Sequence, residues 1–208
     1  SLSYYHALYT GDVSLVRQRW EDIKKHSFVY YFDQSLGLVN KPPAFMGSQN
    51  CKCPESWSPA GLPPGVFEAT HCTCTDLNDW PPQYQDGYKI CNVSTIANAY
   101  ISLAARRVAD IALMLGETAE AGHYANVSET ILTTMREKLY NSTTGTFSDG
   151  LNGPSIHDLT PSTHSAIQSI IFPMMAGVVN ETAQPGMGLA ITNALKLRLK
   201  GGVGPSSC

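Results

Sequence analysis

Residues 95–139, TIANAYISLAARRVADIALMLGETAEAGHYANVSETILTTMREKL, carry the clearest structural pattern in the chain. On both sides of Gly116, apolar side chains recur at spacings of three and four residues, which is the period of one face of an α-helix. Gly116 is predicted to end the first helix, because glycine readily adopts the left-handed conformation that follows a helix C-terminus. A second helix is predicted to begin near Thr118. The stretch therefore predicts two helices joined by a short turn.

The period also predicts which side chains are buried. On the first helix the apolar positions are Ile96, Tyr100, Leu103, Ile111 and Leu115, with Ala97, Ala104 and Ala112 beside them. On the second helix the expected buried stripe is Tyr124, Val127, Ile131, Met135 and Leu139.

Three further segments have a helical pattern. Residues 12–26 precede the hairpin, whereas residues 162–179 and 185–199 follow it. Pro173 is expected to kink or split the second of these helices, because proline lacks the backbone N–H for the helical ladder. The expected N-caps are Thr10 or Asp12 for the first helix and Ser162 or Thr163 for the second. The fold class predicted is all-α, built from helical hairpins joined by alternating short and long loops.

Residues 41–91 lack a sustained period and hold most of the prolines and five of the six cysteines. A structureless stretch of this length in a compact domain is more often functional than accidental. Disulfides between the C-K-C and C-T-C units are expected to staple it, although the connectivity stays open. Zinc binding and free thiols remain alternatives. The candidate disulfide residues are Cys51, Cys53, Cys72 and Cys74.

Four Asn-X-Ser/Thr sequons accompany these cysteines and favour an oxidising compartment, either extracellular or within the secretory pathway. The candidate glycosylation residues are Asn92, Asn126, Asn141 and Asn180.

The composition argues against several classes of function. A net charge of −3 and a sequence pI near 6.0 give no basic footprint, so nucleic acid is not an expected partner. No apolar run reaches the roughly 20 residues that span a bilayer. No phosphate-binding loop, dinucleotide fingerprint, zinc-protease motif or serine-hydrolase motif occurs. No cofactor or metal is predicted, and the sequence carries no signal for an oligomeric state.

The stretch NDWPPQYQDGY, residues 78–88, concentrates aromatic and acidic side chains at the end of the irregular region. Carbohydrate pockets combine aromatic faces, which stack on sugar rings, with carboxylates that accept hydrogen bonds from hydroxyls. The alternative is a stiff connection into the next helix. His164 is a further candidate, with a structural role at a helix N-terminus as its alternative. The candidate substrate-binding residues are Asp79, Trp80, Asp86, Tyr88 and His164.

Seven short motifs follow one another along the chain: Tyr9-Thr10-Gly11-Asp12, Asp79-Trp80-Pro81, Asp86-Gly87-Tyr88, Asn98-Ala99-Tyr100, Ala109 to Glu117, Ser148-Asp149-Gly150 and Thr163-His164-Ser165. In their order and spacing, these motifs resemble the catalytic domain of α-L-rhamnosidases, the six-hairpin family 78 glycoside hydrolases. The resemblance covers about residues 4–200, followed by a tail at 201–208 that is expected to be flexible.

The resemblance implies part of an (α/α)6 barrel whose site is built from loops at one end. It implies inverting hydrolysis of terminal α-L-rhamnosides, in which one carboxylic acid protonates the leaving oxygen and a carboxylate about 6.5–9.5 Å away activates water. Neither of the family's acidic motifs occurs here, so we expect a central slice of the domain. As an isolated chain it is expected not to hydrolyse an aryl α-L-rhamnoside.

The resemblance also implies that Asp79 and Trp80 line the sugar pocket. It says less about Asp86 and Tyr88, for which an anchoring role in the loop stays open. Two other hypotheses remain: a non-catalytic helical module that binds carbohydrate or serves in assembly, and a small cysteine-stapled interaction protein.

Overall fold

The structure is a computed structural model that describes residues 2–40, 86–89 and 91–200. Helices dominate these ranges, as the sequence predicts. They are α1 Leu2–Thr10, α2 Ser14–Gln18, α3 Trp20–His26, α4 Thr95–Leu115, α5 Thr118–Lys138, α6 Ile167–Ala176 and α7 Met187–Lys200, with a short 3₁₀ turn at Val29–Tyr31. The 41–85 part of the cysteine-rich region and the 201–208 tail lie outside the described residues.

Short antiparallel strands connect the helices, although strand signals in the sequence are sparse. They are β1 Phe32–Asp33, β2 Leu38–Val39, β3 Val93–Ser94, β4 Tyr140–Asn141, β5 Thr146–Phe147, β6 Gly150–Asn152 and β7 Thr160–Pro161. β1 pairs with β2, and β4 pairs with β5. β6 lies between β3 and β7, with Ser94 opposite Gly150 and Leu151 opposite Pro161.

The hairpin of α4 and α5 forms the centre of the fold, as predicted. Ser94 caps α4, since its Oγ accepts a hydrogen bond from the Ala97 amide at 3.2 Å. Gly116 ends α4 in the left-handed conformation with φ of +83°. The predicted stripe on α5 is confirmed at Val127, Ile131, Met135 and Leu139, all of which are buried, while Tyr124 is partly buried.

Tyr100 departs from the predicted pattern of α4. It is 52% exposed, although it follows the same period as the buried Ile96. Its ring lies 4.8 Å from the ring of Phe172 on α6, measured between centroids. α6 therefore covers this face of α4 only in part, which leaves the outer half of the Tyr100 ring exposed.

The predicted helix over residues 12–26 is wrong as a single element, because it breaks at Arg19 into α2 and α3. The residue at the N-cap position of α2 is Val13, so neither Thr10 nor Asp12 is the N-cap, although the Asp12 carboxylate accepts a hydrogen bond from the Ser14 amide at 2.9 Å. Hydrogen bonds from the Ser14 hydroxyl and amide lower the pKa of Asp12. Val16 is fully buried in a small cluster that includes Ile111 of α4. The break lets the chain turn while Val16 stays in contact with α4.

α6 begins at Ile167, five residues after the predicted start at residue 162. Residues 162–164 are not helical, because the Ser162 amide donates to the Gly150 carbonyl at 2.8 Å and the His164 carbonyl accepts from the Asp149 amide at 3.0 Å. Ser162 and Thr163 therefore do not cap α6. Pro173 lies inside α6 without splitting it, and the helix ends three residues later at Ala176.

Candidate functional site

The turn at Asp86 and Gly87 lies against the N-terminus of α6. Both residues have positive φ, +49° and +67° respectively. The Asp86 carboxylate Oδ2 accepts hydrogen bonds from the Ile167 amide at 2.8 Å and from Arg198 Nη1 at 3.0 Å. A carboxylate at this point is favourable because the first amides of a helix have no partner within the helix. Asp86 thus ties the end of the irregular region to both α6 and α7.

Asp149 is the buried centre of the site. Its side chain has no solvent exposure, and four donors surround its two oxygens. Oδ1 accepts from the Ala166 amide at 2.6 Å and from Ser169 Oγ at 2.7 Å. Oδ2 accepts from the Lys89 amide at 2.8 Å and lies 2.6 Å from His164 Nδ1. A carboxylate offers about four acceptor positions, so the hydrogen-bonding capacity of Asp149 is filled.

These two carboxylates replace a local N-cap on α6. The residue at the cap position is Ala166, whose side chain cannot accept a hydrogen bond. Asp149 binds the Ala166 amide and Asp86 binds the Ile167 amide. The start of α6 is therefore fixed by residues that lie 17 and 81 positions earlier in the chain.

His164 lies between the buried carboxylate and the turn. Its side chain is 31% exposed, and a Cβ atom added to Gly87 would lie 3.2 Å from Nε2. A side chain at position 87 would therefore crowd the ring edge. Within the described part of the chain, no hydrogen bond involves Nε2.

Tyr88 anchors the turn through its buried ring and its hydroxyl group. Its ring is buried in an apolar cluster with Ile96 and Ala166. Its hydroxyl lies 3.1 Å from Ser94 Oγ and 3.4 Å from the Asp149 carbonyl oxygen. Tyr88 therefore links the turn to the start of α4 as well as to the segment that carries Asp149.

The structure brings together three of the five predicted substrate-binding residues: Asp86, Tyr88 and His164. Asp79 and Trp80 lie outside the described residues, so their place in a sugar pocket stays a prediction. Sequence reasoning did not find Asp149 and Arg198 as members of this cluster. The signal for Asp149 was the Ser148-Asp149-Gly150 turn, whereas no sequence signal marks Arg198.

We expect Gly87→Ala to lower the free energy of unfolding by about 1–2 kcal/mol, because an L-residue is strained at this positive φ. The added methyl group also meets His164 Nε2. Urea denaturation of the variant measures the loss.

Gly122→Ala is the matched control for Gly87→Ala. Gly122 lies inside α5 with nothing within 4 Å of an added Cβ. The control is expected to stabilise the chain by about 0.5–1 kcal/mol, as alanine does in a helix interior. Equal effects of the two substitutions would contradict the conformational requirement at Gly87.

The sequons differ in their surroundings. Asn126 on α5 and Asn141 at the end of β4 are exposed. Asn180 is half-buried, and its Oδ1 accepts hydrogen bonds from the Thr182 and Ala183 amides. Asn92 is half-buried, and its Oδ1 accepts from the Gly153 amide at 3.2 Å. The four candidate disulfide cysteines lie outside the described residues.

None of the described helices is long and apolar enough to cross a membrane. Within residues 2–40, 86–89 and 91–200, no group of three or more His, Cys, Asp or Glu side chains is arranged to hold a metal ion.

Comparison with known proteins relates this arrangement to a family. The family model described as the bacterial α-L-rhamnosidase six-hairpin glycosidase domain matches residues 68–199. Among solved structures, the chain is similar to the GH78 family rhamnosidase of Bacillus sp. GL1, with 16% sequence identity and a TM-score of 0.55. A search of curated proteins found no match.

The structural match covers 94% of this chain and 19% of that chain, so the present chain spans about a fifth of the rhamnosidase that it resembles. At this identity the likeness shows a shared fold, and it agrees with the predicted helical hairpins. The family model matches more than half of the chain. The chain therefore belongs to the α-L-rhamnosidase six-hairpin glycosidase domain family.

Proposed function

We propose that this chain is part of a glycoside hydrolase that removes terminal α-L-rhamnosyl groups. The observation that carries the proposal is the family match over residues 68–199, which includes both the acidic-aromatic stretch and the cluster around Asp149. The cluster lies where three loops meet: the turn at Asp86, the segment after β5 and the segment before α6. A site assembled from loops at helix ends suits a barrel-type glycosidase.

The reaction proposed is inverting hydrolysis. A carboxylic acid protonates the leaving oxygen while a second carboxylate, about 6.5–9.5 Å away, activates water on the opposite face of the sugar. We assign these two carboxylates to parts of the domain beyond the 208 residues. Both described site carboxylates already hold the fold: Asp149 is buried with four donors, and Asp86 binds α6 and α7.

Within this slice, the proposed role is recognition of the sugar. Trp80 would stack on the apolar face of the ring, and Asp79 would accept hydrogen bonds from its hydroxyls. His164 supports this role because its ring is partly exposed and its Nε2 is available beside the Asp86 turn. Asp86 and Tyr88 would hold the end of the loop in place, and Asp86, at 20% side-chain exposure, also has an edge that a ligand can reach.

The test is steady-state kinetics of the full-length enzyme on an aryl α-L-rhamnoside. His164→Ala is expected to raise KM about tenfold, the effect of losing one hydrogen bond of about 1.4 kcal/mol. His157→Ala is the control, since His157 is an exposed histidine in the loop after β6. Absence of any α-L-rhamnosidase activity in the wild type would overturn the function. An unchanged KM in His164→Ala would remove His164 from the pocket.

We also propose that the protein acts outside the cell, supported by the sequons and the paired C-x-C units. When it is expressed through a eukaryotic secretory pathway, Asn126 and Asn141 are expected to carry glycans because both are exposed. Asn92 is expected to stay unmodified because its side chain is half-buried and bonded to Gly153. Enzymatic deglycosylation of the wild type, Asn141→Gln and Asn92→Gln, read by gel mobility, distinguishes these sites. No mobility change in any of the three would count against the extracellular assignment.

A further inference from the structure

We propose, resting on the function proposed above, that Asp149 is a positioning residue for sugar recognition. It holds the His164 ring with the proton on Nδ1, so that Nε2 accepts a hydrogen bond from a sugar hydroxyl. Asp149 itself has no solvent exposure and touches no substrate.

The tautomer follows from the donors around Asp149. An ionised carboxylate only accepts hydrogen bonds, and three of its four partners donate to it: two backbone amides, which can only donate, and the Ser169 hydroxyl. The fourth, His164 Nδ1, lies 2.6 Å from Oδ2 and must therefore supply the proton between them. In a neutral imidazole with Nδ1 protonated, Nε2 carries a lone pair and acts as an acceptor.

The backbone fixes the orientation of the ring as well. The Asp149 amide donates to the His164 carbonyl at 3.0 Å, while the two side chains meet at Nδ1, so the residues are joined twice. The His164 amide donates in turn to Ser162 Oγ at 3.2 Å. On the other side, Nε2 lies 3.2 Å from the position that a Cβ atom at Gly87 would take, so this edge of the ring faces the turn. With these constraints, Nε2 is presented at the Asp86–Gly87 turn, where the acidic-aromatic stretch ends.

A purely structural pair would need only the bond between Nδ1 and Oδ2. Recognition needs in addition a lone pair on Nε2 that faces the pocket. A variant that keeps a donor at the Nδ1 position but lacks an acceptor at the Nε2 position therefore distinguishes the two roles. His164→Asn is that variant, because the asparagine amide can donate to Asp149 but places no acceptor at the Nε2 position.

The first experiment measures the tautomer by ¹H–¹⁵N NMR of the protein labelled with ¹⁵N-histidine, with His164→Asn used to assign the ring signals. The wild type is expected to show the Nδ1-protonated form. Ser169→Ala is expected to show the same form, because it removes a partner of Oδ1 and leaves the Oδ2–Nδ1 contact intact. In Asp149→Asn the preference for this form is expected to be lost. A wild-type ring that carries a proton on Nε2, either alone or together with Nδ1, would overturn the proposal, whether or not Asp149→Asn folds.

The second experiment compares His164→Asn with the wild type in the full-length enzyme on an aryl α-L-rhamnoside. KM is expected to rise about tenfold while the unfolding transition stays close to that of the wild type. A wild-type KM in His164→Asn would show a structural pair and overturn the proposal. Failure of the function itself is distinguishable: the wild type would then show no hydrolysis, while the NMR result would still report on the pair.

Discussion

Replacing Asp149 by alanine is expected to lower the free energy of unfolding by about 3–5 kcal/mol. The side chain is fully buried and joins three segments, since its four donors come from Lys89 and from residues 164–169 while Asp149 lies on a segment of its own. Alanine leaves the Lys89 and Ala166 amides and the Ser169 hydroxyl without their acceptor, and it removes the charged partner of His164. Each unsatisfied buried donor costs about 1–3 kcal/mol, so the summed loss of stability exceeds the loss caused by an ordinary surface substitution. Urea denaturation followed by circular dichroism measures the change.

Ser169→Ala is the matched control for Asp149→Ala. It removes one buried hydrogen bond in the same cluster and leaves Asp149 Oδ1 bonded to the Ala166 amide. A loss of about 1 kcal/mol is expected for it. Similar losses for both variants would show that the carboxylate does not hold the three segments together.

The central hairpin could be predicted from sequence because its signals are local. The helical period, Gly116 at the end of α4 and the restart at Thr118 all lie within a few residues of the features they define. Packing of α5 follows the same period, so Val127, Ile131 and Met135 were correctly placed in the core.

The start of α6 could not be predicted, since distant residues decide it. Ser162 and Thr163 are good N-cap residues, yet the Ser162 amide and the His164 carbonyl bond to the segment at residues 149–150. These hydrogen bonds exclude a helix at residues 162–164, and the carboxylates of Asp86 and Asp149 then bind the first free amides of α6. Local capping preference was overruled by tertiary hydrogen bonds.

The candidate site likewise contains residues that could be predicted from sequence and residues that could not. Asp86, Tyr88 and His164 were selected by residue type and resemblance, and the structure places them around one turn. The partnership of Asp149 with His164 joins residues 15 positions apart through a contact that no periodic pattern encodes. Arg198 reaches Asp86 across 112 positions and carries no motif at all.

Asn98 provides the second large effect: Asn98→Ala is expected to destabilise the chain by about 3 kcal/mol. The residue is fully buried on α4, and its side chain binds both backbone groups of Val39 in β2. Oδ1 accepts from the Val39 amide at 2.7 Å, while Nδ2 donates to the carbonyls of Val39 and Ser94 at 3.0 and 2.9 Å. Alanine leaves the Val39 amide without this acceptor in a buried place and adds a small cavity.

The loss of stability in Asn98→Ala is expected to be greatest at the junction between α4 and the β1–β2 hairpin, because Asn98 binds Val39, which lies 59 positions away in sequence. Hydrogen exchange at the Val39 amide is therefore expected to accelerate more than exchange within α5. Ser102→Ala, one turn further along α4, is the control, since Ser102 Oγ donates to the Ala99 carbonyl of its own helix and, among the described residues, to no other group. Ser102→Ala is expected to lower the free energy of unfolding by about 1 kcal/mol or less and to leave hydrogen exchange at the Val39 amide unchanged. If Ser102→Ala matched Asn98→Ala in both measurements, Asn98 would be an ordinary core residue and not the link between helix and hairpin.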